Sequence, residues 1–428
     1  MENQQSDLKL PSNPFANWVE TVELLAPAGS FESLQAAIQA GCDAVYFGVE
    51  QLNMRVRSSN LFRIEDLAQI AQVCKTHNIR SYITVNTIVY DHDIRLMESI
   101  IRAAKLAGID AIIASDLAAI QCAFQTGIPV HISTQANVCN VETLSFFSPY
   151  ADAVVLAREL TLSQVHSIYR EIERKQIKGP SGNLMRLEIF AHGALCMAIS
   201  GKCYLSLHSH YASANRGACI QNCRRSYVVT DKEDGTELEI DNEYIMSAKD
   251  LCTIHFLDKI LEAGVKIIKI EGRGRSVDYV YTVTSCYREA LNALRDNSYH
   301  ENRIAAWMKR LESVYNRGFW EGYYLGRTMG EWSDQYGSKA TQRKVYIGRG
   351  VKYFDRLGVG EFVAESHTLE TGNKVMIAGP TSGYAEWTIE QMMVDGKNVQ
   401  AVKQGEVFTT PVPMKIRSSD KIYKLVSA

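Results

Sequence analysis

The sequence has no long hydrophobic run, no excess of charge of either sign and no leader-like start. None of its apolar stretches approaches the roughly 18 residues of a membrane-spanning helix, so no membrane association is expected. The formal net charge is −2, and any nucleic-acid surface must therefore be local. The opening MENQQSDLKLPSNPFANW is polar, without a basic segment followed by an apolar one. That start predicts a cytoplasmic chain lacking a signal peptide. In that compartment the ten cysteines are expected as reduced thiols or metal ligands, not as a disulfide framework. Several chemical signatures are missing too. No G-x-G-x-x-G follows the first strand-like run, and neither H-E-x-x-H, G-x-S-x-G nor a papain-type cysteine signature occurs. A dinucleotide fold and the common local protease motifs have no support here.

What is present is a repeated rhythm. Hydrophobic residues make up 46% of the 428 positions, enough for two or three soluble domains. From Val22, short β-branched runs alternate with amphipathic stretches: VELLAPA, then SFESLQAAIQAG, then DAVYFGV, then IEDLAQIAQVCKTH, and so on. The seventh strand-like run is MRLEIFAHG, Met185 to Gly193, and the eighth is VKIIKIEGR, Val265 to Arg273. Eight such units predict an α/β fold, a (β/α)8 TIM-like barrel over residues 22–340 that follows an N-terminal tail, 1–21. A doubly wound open sheet is the main competitor. Runs seven and eight are separated by an insertion, residues 194–264, far longer than an ordinary βα loop. In a barrel it would emerge at the catalytic face. After Ala340, short strands parted by Gly, Asn and Asp predict a small all-β barrel domain over 341–428. The aromatic, glycine-rich stretch from Tyr315 to Lys339 reads as a packed connector.

The insertion carries Cys196, Cys203, Cys219 and Cys223 in the spacing C-x6-C-x15-C-x3-C. Four thiols in one irregular segment form a soft-metal set suited to zinc or an iron–sulfur centre. Cys252, in MSAKDLCTIHF, is a fifth candidate or a residue packed on a helix. The other cysteines lie singly in ordinary helix and strand patterns and are expected in the core.

Polar residues at strand ends are the next candidates. Glu188, Phe190 and His192 share one face of a regular strand at period two, so Glu188 and His192 are catalytic candidates; a satisfied core histidine is the competing reading. Glu271 and Arg273 in KIEGR pose the same choice between substrate contact and an internal salt bridge. Asn86, Gln135, Asn137, Arg158 and Glu159 also fall at strand ends, where an apolar interior would leave them unpaired. Arg55 and Arg57 follow the second strand on a loop suited to an anionic ligand, or to solvent. Lys202, Arg216, Arg224 and Arg225 surround the thiols, with Tyr204, Tyr211 and Tyr227 interleaved, a combination able to bind phosphate and stack on bases.

Several of these blocks resemble one family. EIFAHGALCMAISGKC is similar to the signature E-x-F-x-x-G-x-x-C-x6-C of peptidase family U32. NRGACIQNCRRSY, MSAKDL, KIEGR and the N-terminal ELLAPAGSFESLQAAIQAGCDAVYFG resemble its other blocks in the same order. The family takes its name from collagenase-like activity, but the resemblance implies RNA modification. Members hydroxylate a tRNA wobble uridine with prephenate as co-substrate, or a ribosomal RNA cytidine, or ubiquinone precursors. They hold a [4Fe–4S] cluster, whose ligands by position would be Cys196, Cys203, Cys219 and Cys223, with Cys252 as an alternative fourth. The chain length and single β domain look like the branch that makes tRNA 5-hydroxyuridine. The resemblance then implies tRNA and prephenate as partners, and under that reading the strand-end residues His192, Glu188 and Glu271 are the candidate proton-moving groups. Arg55, Asn86, Gln135, Arg158 and Arg273 would bind the substrate, and Arg216, Arg224 and Arg225 the RNA. A U32-type peptidase and a zinc-stabilised RNA- or protein-binding module are the alternatives.

Overall fold

The computed structural model describes residues 15–55, 62–228, 230–235, 246–326 and 330–428, and within them the side chains of all but 16 and 17. Arg57 therefore lies outside the described residues. The expected eight strands form and close. They are Glu23–Pro27, Ala44–Phe47, Arg80–Val85, Ala111–Ala114, Val130–Ile132, Ala153–Val155, Arg186–Ala194 and Ile267–Ile270. Each pairs in parallel with the next, and the eighth pairs with both the seventh and the first. The open-sheet alternative is thereby excluded. All-buried strands such as Glu23–Pro27 fit a sheet covered on both faces.

Alternation along the strands sorts side chains into two cores. One face packs under the helices in a large apolar cluster that includes Leu24, Val45, Ile83 and Ile268. The other fills the barrel with Leu25, Ala44, Tyr46, Tyr82, Ile113 and Ile267. Charged residues share that interior. Near the N-terminal end Glu23 accepts from Arg80 at 2.6 Å and Arg186 at 3.0 Å. Further along, fully buried Glu188 accepts from Lys269 at 2.7 Å and faces His131 at 3.3 Å. Burial alone would push the Glu188 carboxyl up, but Lys269 and then His131 outweigh it and hold it at about 2.

Helix starts follow local chemistry. Ser30 caps Phe31–Gln39 by accepting from the Ser33 amide, and Thr161 with Gln164 forms a reciprocal cap on Leu162–Lys175. Those helices set the barrel's outer layer. Part of the long insertion returns to the barrel: Leu257–Glu262 is a helix under the sheet, leading into the eighth strand. Asp250–Cys252 pairs antiparallel with the end of the seventh strand and parallel with Phe319–Trp320 of the connector.

The C-terminal region is a separate antiparallel all-β unit running from Gln342 to Ser427, with its own core around Ile347, Phe362, Val375, Phe408 and Ile422. It docks on two barrel helices, Phe31–Gln39 and Val277–Arg295. Gln39 exchanges hydrogen bonds with the Ser382 carbonyl and the Tyr384 amide, both at 2.8 Å. The rings of Tyr281 and Tyr384 meet at 4.6 Å. No helix among the described residues is long and apolar enough to cross a membrane.

Candidate active site at the barrel mouth

The strand ends bring most of the expected polar residues together at one mouth. Arg55 is ion-paired to Glu271, with a second contact from its Nε at 3.1 Å. Burial would raise the Glu271 carboxyl, yet Arg55 outweighs it and holds it at about 2. Arg273 is buried and donates to Thr84 Oγ1 at 2.6 Å and Asn53 Oδ1 at 3.3 Å. Burial pulls its guanidinium down to about 10. Among the described residues, no carboxylate pairs with it. Room for this side chain depends on Gly48, where a Cβ would come within 2.9 Å of the guanidinium.

Arg158 lies 3.9 Å over the Phe190 ring and donates from Nη1 to the Ala194 carbonyl at 3.0 Å. Its Nε is buried and has no hydrogen-bond partner among the described residues. Asn86 links Ser133 at 3.2 Å and Gln135 at 3.3 Å, and accepts from the Met54 amide. The buried Oδ1 of Asn137 has no hydrogen-bond partner among the described residues, and Glu159 is exposed. Arg55, Arg158 and Arg273, with Arg275 nearby, thus share the one carboxylate of Glu271, and the Arg158 Nε is an unmet donor among the described residues. A buried cation without a counter-charge favours an anionic guest. Lys269 and Tyr46 extend this surface inward, the ammonium 4.5 Å from the Tyr46 ring. Lys269 shares strand parity with Glu271 and Arg273, the signal by which sequence could have found it.

His192 departs from the expected face. The pairing of the seventh and eighth strands shifts between Phe190 and His192, a β-bulge that inserts Ala191 and reverses the alternation. Glu188 and Phe190 point into the barrel, whereas His192 packs outward against Tyr279, Tyr287 and Phe319 at 5.4–6.1 Å. Gly193 completes the bend at φ +103°, and a Cβ there would sit 2.5 Å from the Glu271 carbonyl. His192 is consequently a core histidine, not a group at the mouth. Burial, with Arg275 adding to it, lowers the ring to about 3, so it stays neutral at physiological pH. The unfolded ring takes a proton near 6.5 that the folded one refuses until about 3. Its contribution is whole above 6.5 and is lost as pH falls. Denaturant titrations from pH 6 to 4 should show His192→Phe losing stability less steeply than wild type, by up to about 1.4 kcal/mol per pH unit.

Above the mouth sits the thiol segment. Cys196, Cys203, Cys219 and Cys223 are all free, and the three others are electrostatic neighbours of Cys223. Cys219 is also felt by Arg55, and Gly201 packs on Gln135, which places the segment over the substrate-facing residues. Among the described residues no three His, Cys, Asp or Glu groups are arranged around a single ion. Cys252 is elsewhere: it is fully buried in the helix-facing core, with Sγ 3.7 Å from Met308 Sδ.

The arginines around the thiols divide into two kinds. Arg224 is turned inward, donating to the Leu195 and Ala248 carbonyls at 2.6 Å each. Arg216 is ion-paired with Asp93, donates to the Ile88 carbonyl at 3.0 Å and lies 4.2 Å over the Tyr90 ring. Both fasten the segment to the barrel, which corrects their expected place on an RNA-facing surface. Arg225 alone of the three is exposed.

The family model for "Peptidase family U32" matches residues 29–334, most of the barrel and the whole thiol segment. The chain belongs to peptidase family U32. It is similar to proteins of three descriptions. It is 54% identical over 406 residues to a "Collagenase" of Porphyromonas gingivalis, covering 95% of this chain and 98% of that one. It is 30% identical over 390 residues to "tRNA hydroxylation protein P1" of Bacillus subtilis, covering 89% of each chain. A third relative is the "23S rRNA 5-hydroxycytidine C2501 synthase" of Escherichia coli, 33% identical over 64% of this chain and 40% of that one.

Proposed function

We propose that this U32 protein is an iron–sulfur enzyme that hydroxylates C5 of a tRNA wobble uridine, with prephenate as small-molecule co-substrate. The observation that supports it most is the pairing of two features at one place: a four-thiol segment and, beneath it, Arg158 and Arg273, which have no carboxylate ion-pair partner among the described residues. All-sulfur donors suit an iron–sulfur cluster, and Arg224 beside Cys223 offsets part of the negative charge that four thiolates bring. Cys196, Cys203, Cys219 and Cys223 would hold a [4Fe–4S] cluster. Replacing C5–H by C5–OH with the oxygen of water releases two electrons and two protons, so an external electron acceptor must be consumed. A cluster held by these thiols would relay the electrons, a chemistry that side chains lack.

The chain's own residues bind and orient. Arg158 and Arg273 are set to take the two carboxylates of a dianion, and the Tyr46 and Phe190 rings wall its carbon body. Glu271, ionised far below neutral pH, is a poor proton acceptor and instead fixes the Arg55 fork. Glu188, sealed under Lys269, has the same limitation and sits below the mouth. In binding assays with the purified holoprotein, Arg158→Gln and Arg273→Gln should each weaken prephenate by roughly 10- to 100-fold without altering visible absorption.

A peptidase reading draws on the 54% identity to a protein named collagenase. Anaerobic purification separates these readings and the zinc-stabilised module. A brown protein that binds prephenate and RNA supports hydroxylation. A colourless protein that cleaves denatured collagen supports the peptidase, and a colourless zinc protein without either activity supports a binding module.

A further inference from the structure

Residues 194–228 contain four Lys or Arg and no Asp or Glu, in a chain with 48 acidic residues. Two of those cations, Arg216 and Arg224, are used to hold the segment down. Lys202 and Arg225 remain exposed, and His208 and His210 stand beside them in solvent. The tyrosines divide in the same way. Tyr227 is half-buried and donates to the Asn222 carbonyl at 2.8 Å. Tyr204 and Tyr211, by contrast, are 74% and 95% exposed. They bracket the short helix Leu205–His210.

Tyr211 closes that helix in the left-handed region, φ +51°, where glycine or asparagine is the low-cost choice. A bulky ring kept there with almost none of its surface packed does nothing for the core. Met197 and Ile199 on the same segment are also partly exposed. The segment is thus a positively charged surface with exposed aromatic rings beside the barrel mouth proposed above to take an anion.

We infer that Tyr204 and Tyr211 form a stacking platform for unpaired bases of single-stranded RNA, with Lys202 and Arg225 contacting the flanking phosphates. The inference rests on the RNA reading above and adds which residues meet the RNA and in what form. Duplex RNA hides its base faces, so a platform of this kind selects a loop, where a base can be splayed out. Stacking is tolerant of base identity, because every base has a π-face, and the cations add a salt-dependent attraction. Delivering a loop to this rim places one base over Arg55, Gln135 and the thiols, which neighbour the same segment.

The experiment uses anaerobically purified full-length holoprotein and an RNA hairpin with an unpaired loop, beside a blunt duplex of the same stem. Tyr204→Ala and Tyr211→Ala should each weaken hairpin binding by roughly 5- to 150-fold, with duplex binding and the visible absorption band unchanged. Tyr204→Phe and Tyr211→Phe, which keep the ring, should bind as wild type. Arg225→Ala should lower the slope of log affinity against log salt by about one. Wild-type hairpin binding that survives the double alanine variant overturns the platform and leaves the RNA reading standing. Absence of hairpin binding by the wild type removes both. Displacement of the hairpin by an unfolded collagen peptide would assign the surface to a peptide and overturn the inference.

Discussion

Serine at any one of Cys196, Cys203, Cys219 or Cys223 is expected to bleach the visible absorption and abolish hydroxylation. The loss should exceed the roughly 10- to 100-fold that removing an outer-shell partner of a metal typically costs. Each thiolate would anchor the centre directly, and a hydroxyl is a poor replacement for a soft sulfur donor. Cys196, Cys203 and Cys219 are each within electrostatic reach of Cys223, whereas Cys252 packs against Met308 in the helix-facing core. Cys252→Ser should therefore keep its iron and its activity while losing some stability. Iron and sulfide analysis of the five variants, purified without oxygen, reads this out. A Cys223→Ser protein with full iron would mean that the ligand set is drawn wrongly.

Glu188→Gln should destabilise the barrel by about 3–5 kcal/mol, because it strands the Lys269 ammonium in a sealed interior. The pair itself is less valuable than that figure suggests. Glu188→Leu combined with Lys269→Met removes both charges in similar volume and should recover most of the loss. The acid side gives an independent check. Glu188 titrates near 4.5 when unfolded and at about 2 when folded. Its contribution is complete above the unfolded value and fades as pH falls through the folded one. Wild type should thus lose stability between pH 5 and 2 more steeply than the Leu/Met variant. Urea titrations at fixed pH values measure both effects. Equal destabilisation by the single and double variants would show that packing, not charge, is what Glu188 supplies.

The barrel was legible because its signal is periodic: strand-like runs alternate with amphipathic helices, and closure of such a set follows from general rules of parallel sheets. The thiol segment was legible by density, since four cysteines in an irregular stretch have no packing explanation. What escaped was local and geometric. Ala191 is an ordinary strand residue, so nothing in MRLEIFAHG announces the bulge that turns His192 to the opposite face. Arg224 and Arg225 are adjacent and chemically identical, yet one binds the Leu195 and Ala248 carbonyls and the other faces solvent. Those carbonyls come from sites distant in sequence, and no side-chain pattern marks them. Lys269 could have been found, because VKIIKIEGR places it on the parity of Glu271 and Arg273. The Glu188–Lys269 pair could not, since it depends on the register between the seventh and eighth strands.

The proposed reaction is tested most directly by mass spectrometry of tRNA nucleosides from a strain lacking the gene. Complementation with wild type, with Cys219→Ser and with Arg273→Gln covers the thiols and the mouth. The expected result is loss of 5-hydroxyuridine and its derivatives in the deletion strain, restored by wild type and by neither variant. An unchanged 5-hydroxyuridine level in the deletion strain, with collagen cleavage by the pure protein, would contradict the reading and make this a peptidase.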